Sequence, residues 1–195
     1  MGAYLIAMLC GVPLWVGLAR RHGKVPTFYR SICIYAALNL GCVPLLHPTF
    51  IDLSTEVKLA FSFSIAVIHG LAGSAKAPLG DSIGGDVIDH DQSVSCERKH
   101  GTFFALWNLC SKSVGGLIML ITGVVLANSG FRPNEEHQPY PTRVAIVTLF
   151  GLFPLAGLSL AAIAIGRFEL GEEEHARDRA VLRQRAREAG RRTLV

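Results

Sequence analysis

Charge is scarce in this 195-residue chain. Only 17% of its residues are Asp, Glu, Lys or Arg, against about 25% in an ordinary soluble domain. The shortage is also uneven. Val144–Gly166 contains no charged residue, and Thr102–Ala127 contains Lys112 alone. No Asp or Glu falls inside any of the long apolar runs, so the sequence offers no buried acid or nucleophile cluster for a membrane enzyme. The five cysteines show neither CxxC nor CxxH spacing, which argues against a zinc site or a redox pair. Met1 opens directly onto apolar sequence without a basic leader or a small-residue cleavage site, so no signal peptide is needed. There is no fixed-period repeat and no low-complexity tract.

What the chain does have is apolar length. Half of its residues are hydrophobic and the mean hydropathy is +0.38. A helix needs about 20 apolar residues to cross a hydrocarbon core of about 30 Å. The class is therefore an all-α integral membrane protein. Five spans are expected: Gly2–Leu18, Phe28–Leu46, Val57–Ala75 continuing towards Asp86, Thr102–Ala127 and Val144–Gly166. Residues 1–168 then form a transmembrane bundle, and residues 169–195 form an Arg-rich tail.

The basic residues orient the bundle. Arg20, Arg21 and Lys24 follow the first span, Arg98 and Lys99 precede the fourth, and eight arginines follow the fifth. The loop "HPTFIDLST" has no Lys or Arg, and "NSGFRPNEEHQPYPT" has only Arg132. The positive-inside rule places Met1 outside and the tail in the cytoplasm. The tail sets glutamates before arginines, with Glu173–Arg177 and Glu188–Arg192 at i,i+4. It reads as a solvated or membrane-surface helix attracted to anionic lipid. That accounts for its charge without a nucleic-acid partner.

Lys112 is the chemical anomaly. It lies about ten residues inside its span, or about 15 Å along a helix, near the bilayer midplane. A lysine there costs roughly 2.5–3.5 kcal/mol on insertion scales. It is either tolerated against a neighbouring carbonyl or faces a watery cavity or a carboxylate. A carboxylate partner would have to come from substrate, from an ion site or from another segment. Asn108, four residues earlier, shares its helix face, and Ser111 adjoins it. His69 is the other titratable group at depth besides Cys and Tyr, either packed and hydrogen-bonded or lining a pathway. Asp81, Asp86, Asp89 and Asp91 gather at the end of the third span. They form either a solvated loop or a latch that pairs with Arg98 or another basic loop. The ordered acid spacing of a Mg²⁺-diphosphate site is absent, and no metal or cofactor is expected.

The segment "GDVIDHDQ…ERKHGTFFALWNLCSK" resembles the loop between helices ten and eleven of the glycoside–pentoside–hexuronide:cation symporters, the melibiose-permease-like branch of the major facilitator superfamily. That pattern has an acid, two apolar residues, a second acid, a basic residue and then an aromatic-rich helix bearing a lysine. Asp86, Asp89, Arg98 and Lys112 fit it without a gap. "GFRPNEEHQ" with the last apolar helix and basic tail, and "WVGLARRHGK", are similar to other parts of the same family.

The resemblance implies a major facilitator fold whose helices eight to twelve correspond to the five spans. It implies a secondary active transporter of the plasma (inner) membrane, not an enzyme, in which a Na⁺ or H⁺ gradient drives uptake of a sugar or glycoside by alternating access. Lys112, Asn108 and Ser111 would face the substrate and cation cavity, and Asp86, Asp89 and Arg98 would close the cytoplasmic side. The coupling cation would be bound mainly by the amino-terminal half, which this chain does not contain. The position of a sugar-stacking Trp in that branch is Ala77 here. Two alternatives stand beside this reading: a truncated or partner-requiring membrane protein that does not itself transport, and a lysophospholipid-like or other organic substrate.

Overall fold

The computed structural model describes residues 2–46, 53–97, 99–135, 137–168 and 176–185. Arg98 and the Glu173–Arg177 and Glu188–Arg192 pairs lie outside the described residues. Every regular element among the described residues is helical, and none is a strand. In chain order it runs α1 (Gly2–His22), α2 (Lys24–Leu38) with a 3-10 extension (Asn39–Leu46), α3 (Thr55–Gly73), α4 (Lys76–Ser95) and α5 (His100–Asn128). It continues with α6 (Tyr140–Val147), a π-helical turn (Thr148–Leu152) and α7 (Phe153–Gly166). A last helix, α8, covers residues 176–185.

By length and composition, four helical stretches can cross a bilayer: Gly2–His22, Thr55–Ser95, His100–Asn128 and Tyr140–Gly166. The expected span at Phe28–Leu46 corresponds to α2 and its extension. Fifteen α-helical residues and eight 3-10 residues give about 38 Å, enough to cross. The third expected span is longer than its apolar run. Its helix breaks only at Ser74 and Ala75, which both keep right-handed dihedrals, and it continues to Ser95. Those 41 residues reach about 60 Å, twice the hydrocarbon thickness. The stretch bearing the acid cluster therefore projects beyond the bilayer.

Local chemistry sets the breaks. Gly23, at φ 88°, separates α1 from α2 and donates its N–H to the Ala19 carbonyl at 3.0 Å. Only glycine takes that left-handed conformation at little cost. The π turn precedes Pro154, which has no N–H for the carbonyl four residues earlier. The ladder widens to accommodate the missing bond. At the α3–α4 break, the Leu71 carbonyl accepts from the Trp15 indole at 2.8 Å and from the Ser74 hydroxyl at 2.7 Å.

The tightest packing joins α1 to α3. Ala7, Gly11, Trp15 and Ala19 recur every four residues and are the buried positions of α1. Gly70 and Ala72 are buried opposite. Trp15, Ala19, Ala75 and Leu79 form a core, with Leu18 and Phe28 against it. His69 is half-buried, hydrogen-bonded to the Ile65 carbonyl at 3.1 Å and edge-on to Tyr35 at 5.5 Å between ring centroids. These contacts make it a packed helix residue. The continuous α6–α7 span lies along α2 and its extension, with Gly151 against Asn39 and Cys42, and Gly166 against Tyr29. Among the four bilayer-length stretches α5 stands apart, because none of its 29 residues is buried. At its far end the Thr142 hydroxyl donates to the Ser129 carbonyl at 2.8 Å, tying α6 to the loop after α5.

Candidate functional site

Two candidate sites stand out, one on α5 and one at the end of the bundle where α4 projects. On α5 the row Asn108, Lys112, Gly116 follows the four-residue helical period, with Ser111 and Gly115 on the adjoining row. A side chain added at Gly115, Gly116 or Gly123 would meet nothing within 4 Å. Lys112 is exposed, and among the described residues no hydrogen bond or ion pair reaches it. The Asn108 amide donates to the Phe104 carbonyl at 2.9 Å, within its own helix.

A cavity of about 710 Å³ lies between α1, α2, α4, α5 and the end of α7. Ser111, Trp107, Phe103 and Phe104 line it from α5, with Ala77 and Asp81 from α4. Of the three residues expected at the substrate cavity, Ser111 lies on this wall. Lys112 and Asn108 do not, and belong to the uncovered face. Ala77, where the related branch carries an aromatic ring, thus shares the cavity with the indole of Trp107. Of these two walls, the aromatic side chains are on α5 and none is on α4.

At the end of the bundle, the Lys24 ammonium is bidentate to Asp86, at 2.9 and 2.7 Å from its two oxygens. The Asp86 side chain is only 15% exposed. Arg179 of α8 stands 3.9 Å from Asp86 and 4.0 Å from Asp89. The acid cluster is therefore engaged with basic groups from two other elements. Arg98, the third residue expected at this latch, lies outside the described residues. Its neighbour Lys99 pairs with Glu97 at 3.0 Å, and that carboxylate holds the ammonium above the usual lysine range. Sequence reasoning used Lys24 only for orientation. Its partner lies 62 residues away, and nothing local in the sequence links the two. Among the described residues, no three His, Cys, Asp or Glu side chains converge closely enough to hold a metal ion.

The Lys24–Asp86 pair is partly shielded, so it should exceed an ordinary surface ion pair. Singly and together, Lys24→Ala and Asp86→Asn should reveal a coupling of about 1–2 kcal/mol in thermal unfolding in detergent. Strictly additive losses would mean that the pair contributes nothing.

An uncovered polar row on a largely apolar helix thus lies beside an aromatic-lined cavity. The family model described as MFS/sugar transport protein matches residues 1–172. The chain belongs to this family. Over 167 residues it is 31% identical to a protein named uncharacterized symporter YjmB from Bacillus subtilis (strain 168), covering 85% of this chain and 34% of the relative. Over 157 residues it is 25% identical to one named uncharacterized symporter sll1374 from Synechocystis sp. (strain ATCC 27184 / PCC 6803 / Kazusa), covering 76% of this chain and 27% of the relative. The chain thus spans about a third of the length of the curated relatives it matches. No solved structure matches it. It is an all-α, multi-pass membrane protein of a transporter family, as the apolar runs and the resemblance imply.

Proposed function

We propose that the chain forms the carboxy-terminal part of a cation-coupled symporter for a sugar or glycoside. It would work by alternating access in the plasma membrane, with its tail in the cytoplasm. The observation that carries this reading is the uncovered face of α5. A helix face turned to lipid needs apolar side chains, whereas this face sets Asn108, Ser111 and Lys112 next to Gly115 and Gly116. Small residues favour close helix approach in membranes, and an intramembrane lysine needs water or a counter-charge. Both needs are met if other transporter helices close on this face and leave a central aqueous cavity. Lys112 then sets the electrostatics of the cavity and Ser111 joins it to the aromatic wall. A coupling cation, Na⁺ or H⁺, would depend on carboxylates from outside the chain.

In rocking-bundle transporters, two halves pivot about a midplane site. The Asp86–Lys24 pair and Asp89 lie at one end of this half, where closure would form. The family's description and the relatives' names support transport and symport, and the aromatic wall supports a ligand with flat apolar faces. A second reading, a membrane protein that does not transport by itself, is favoured by the chain spanning about a third of its relatives. In that case the same α5 face would hold a membrane partner.

Uptake decides between them. A full-length transporter carrying this chain as its carboxy-terminal part, reconstituted in vesicles, should accumulate a labelled sugar under an imposed Na⁺ or pH gradient. Collapsing the gradient should abolish accumulation. No accumulation of any sugar under either gradient would overturn the sugar-symport reading, and movement of a labelled lysophospholipid instead would establish the alternative substrate.

A further inference from the structure

Helix α8 does not lie free. Its residues Asp178, Leu182 and Arg185 fall on one face at i, i+4 and i+7. Asp178 and Leu182 are half-buried on that face. One Asp178 oxygen is 2.8 Å from His90 Nδ1, and the other accepts from the Ser93 hydroxyl at 2.7 Å. The Arg185 guanidinium donates to the Ser93 carbonyl at 2.9 Å. Arg179 reaches the Asp86 and Asp89 carboxylates. At 14% exposure Asp178 is the least exposed of these charged anchors, just below Asp86 on α4 at 15%. Arg177 and Arg183 are exposed.

The arrangement is specific in a way that charge attraction alone does not require. Arginines drawn to an acid patch would settle anywhere on it. Here an acid on the basic helix is matched to a histidine and a serine on the acidic one, which fixes register and orientation. Two carboxylate oxygens and two donors meet within hydrogen-bond distance, a geometry stronger than an exposed ion pair and less sensitive to salt. The docked helix also closes a circuit. It follows α7, rests on α4, and shares Asp86 with Lys24 at the α1–α2 junction.

We propose that residues 176–185 are a detachable strap that holds the projecting end of α4 to the rest of the bundle, so that this end moves as one unit. The consequence for closure rests on the transport reading, but the docking itself does not. When the strap is off, its arginines are available to anionic headgroups, the alternative position that its charge allows.

The test uses the purified chain in lipid nanodiscs, where both membrane faces are accessible. Trypsin cuts after arginine and lysine, residues 177–185 offer it arginines, and a docked helix resists it. In Asp178→Ala, cleavage within residues 177–185 should accelerate about tenfold, while cleavage at Arg20–Arg21 stays unchanged. The exchanged pair His90→Asp with Asp178→His, which adds no trypsin site, should restore slow cleavage. Amide hydrogen exchange over residues 86–95 should rise about tenfold in Asp178→Ala and return in the exchanged pair, with α3 unaffected. Native cleavage rates in Asp178→Ala would overturn the docking. Fast cleavage with unchanged exchange on α4 would overturn the strap. Neither readout involves transport, so a failed uptake experiment leaves this result intact and the reverse also holds.

Discussion

Replacing Lys112 by alanine should abolish gradient-driven accumulation in the assembled transporter and leave the protein folded. The two effects separate for a physical reason. A lysine near the bilayer midplane costs roughly 2.5–3.5 kcal/mol on insertion, so its removal should leave stability unchanged or raise it. Transport should move the other way. If an aqueous cavity and a counter-charge surround the ammonium, its loss leaves carboxylates of the other half unpaired. Unpaired, they would bind the coupling cation too tightly or become protonated, and accumulation should fall at least about tenfold, equivalent to about 1.4 kcal/mol or more of lost coupling. Lys112→Arg keeps the charge but not the compact geometry, so it should retain part of the activity at most. The measurements are accumulation in vesicles beside thermal unfolding in detergent. Full accumulation by Lys112→Ala, or a folding defect that accounts for all the loss, would remove Lys112 from the mechanism.

Much of this architecture was legible in the sequence because lipid imposes strict rules on composition. The uncharged run Val144–Gly166 and the nearly uncharged Thr102–Ala127 each became helix, and the basic run at Arg20 and Arg21 marked the end of the first span. The isolation of Lys112 was legible too, because no acid lies in any apolar run. Other features depend on packing and leave no local trace. The helix carrying the acid cluster runs on to Ser95 although its apolar run ends near Ala75, because outside the bilayer a helix needs no apolar sequence. Lys24 and Asp86 meet through the fold alone. Asp178 seemed one charge among many in a tail read as solvated or membrane-bound, and only the approach of α8 to His90 and Ser93 distinguishes it. Trp107 and Ala77 line one cavity from different helices, a relation that spacing along either helix does not show.

Gly70→Leu should be the most destabilising single substitution at the α1–α3 interface, and the reason lies in what surrounds it. A Cβ at Gly70 would sit 2.5 Å from the Tyr4 carbonyl oxygen and 2.9 Å from the Ala7 Cβ. The first of these is backbone and the second is the root of a side chain, so neither can swing aside. Helices α1 and α3 must separate instead. In lipid, helices gain little from hiding apolar surface from water, and close packing of small residues carries their association. Separation therefore costs the dispersion contacts along the Ala7, Gly11, Trp15, Ala19 stripe, and it stretches the 2.8 Å bond from the Trp15 indole to the Leu71 carbonyl. A loss of about 3 kcal/mol or more follows from overpacking and the weakened hydrogen bond together. Gly17→Leu, on α1, is the control, since a Cβ there meets nothing within 4 Å. It should change stability by less than about 0.5 kcal/mol. Thermal unfolding of both variants in one detergent makes the comparison. Equal stability of Gly70→Leu and Gly17→Leu would mean that α1 and α3 are not held by this contact, and the packing that positions the cavity wall would need another explanation.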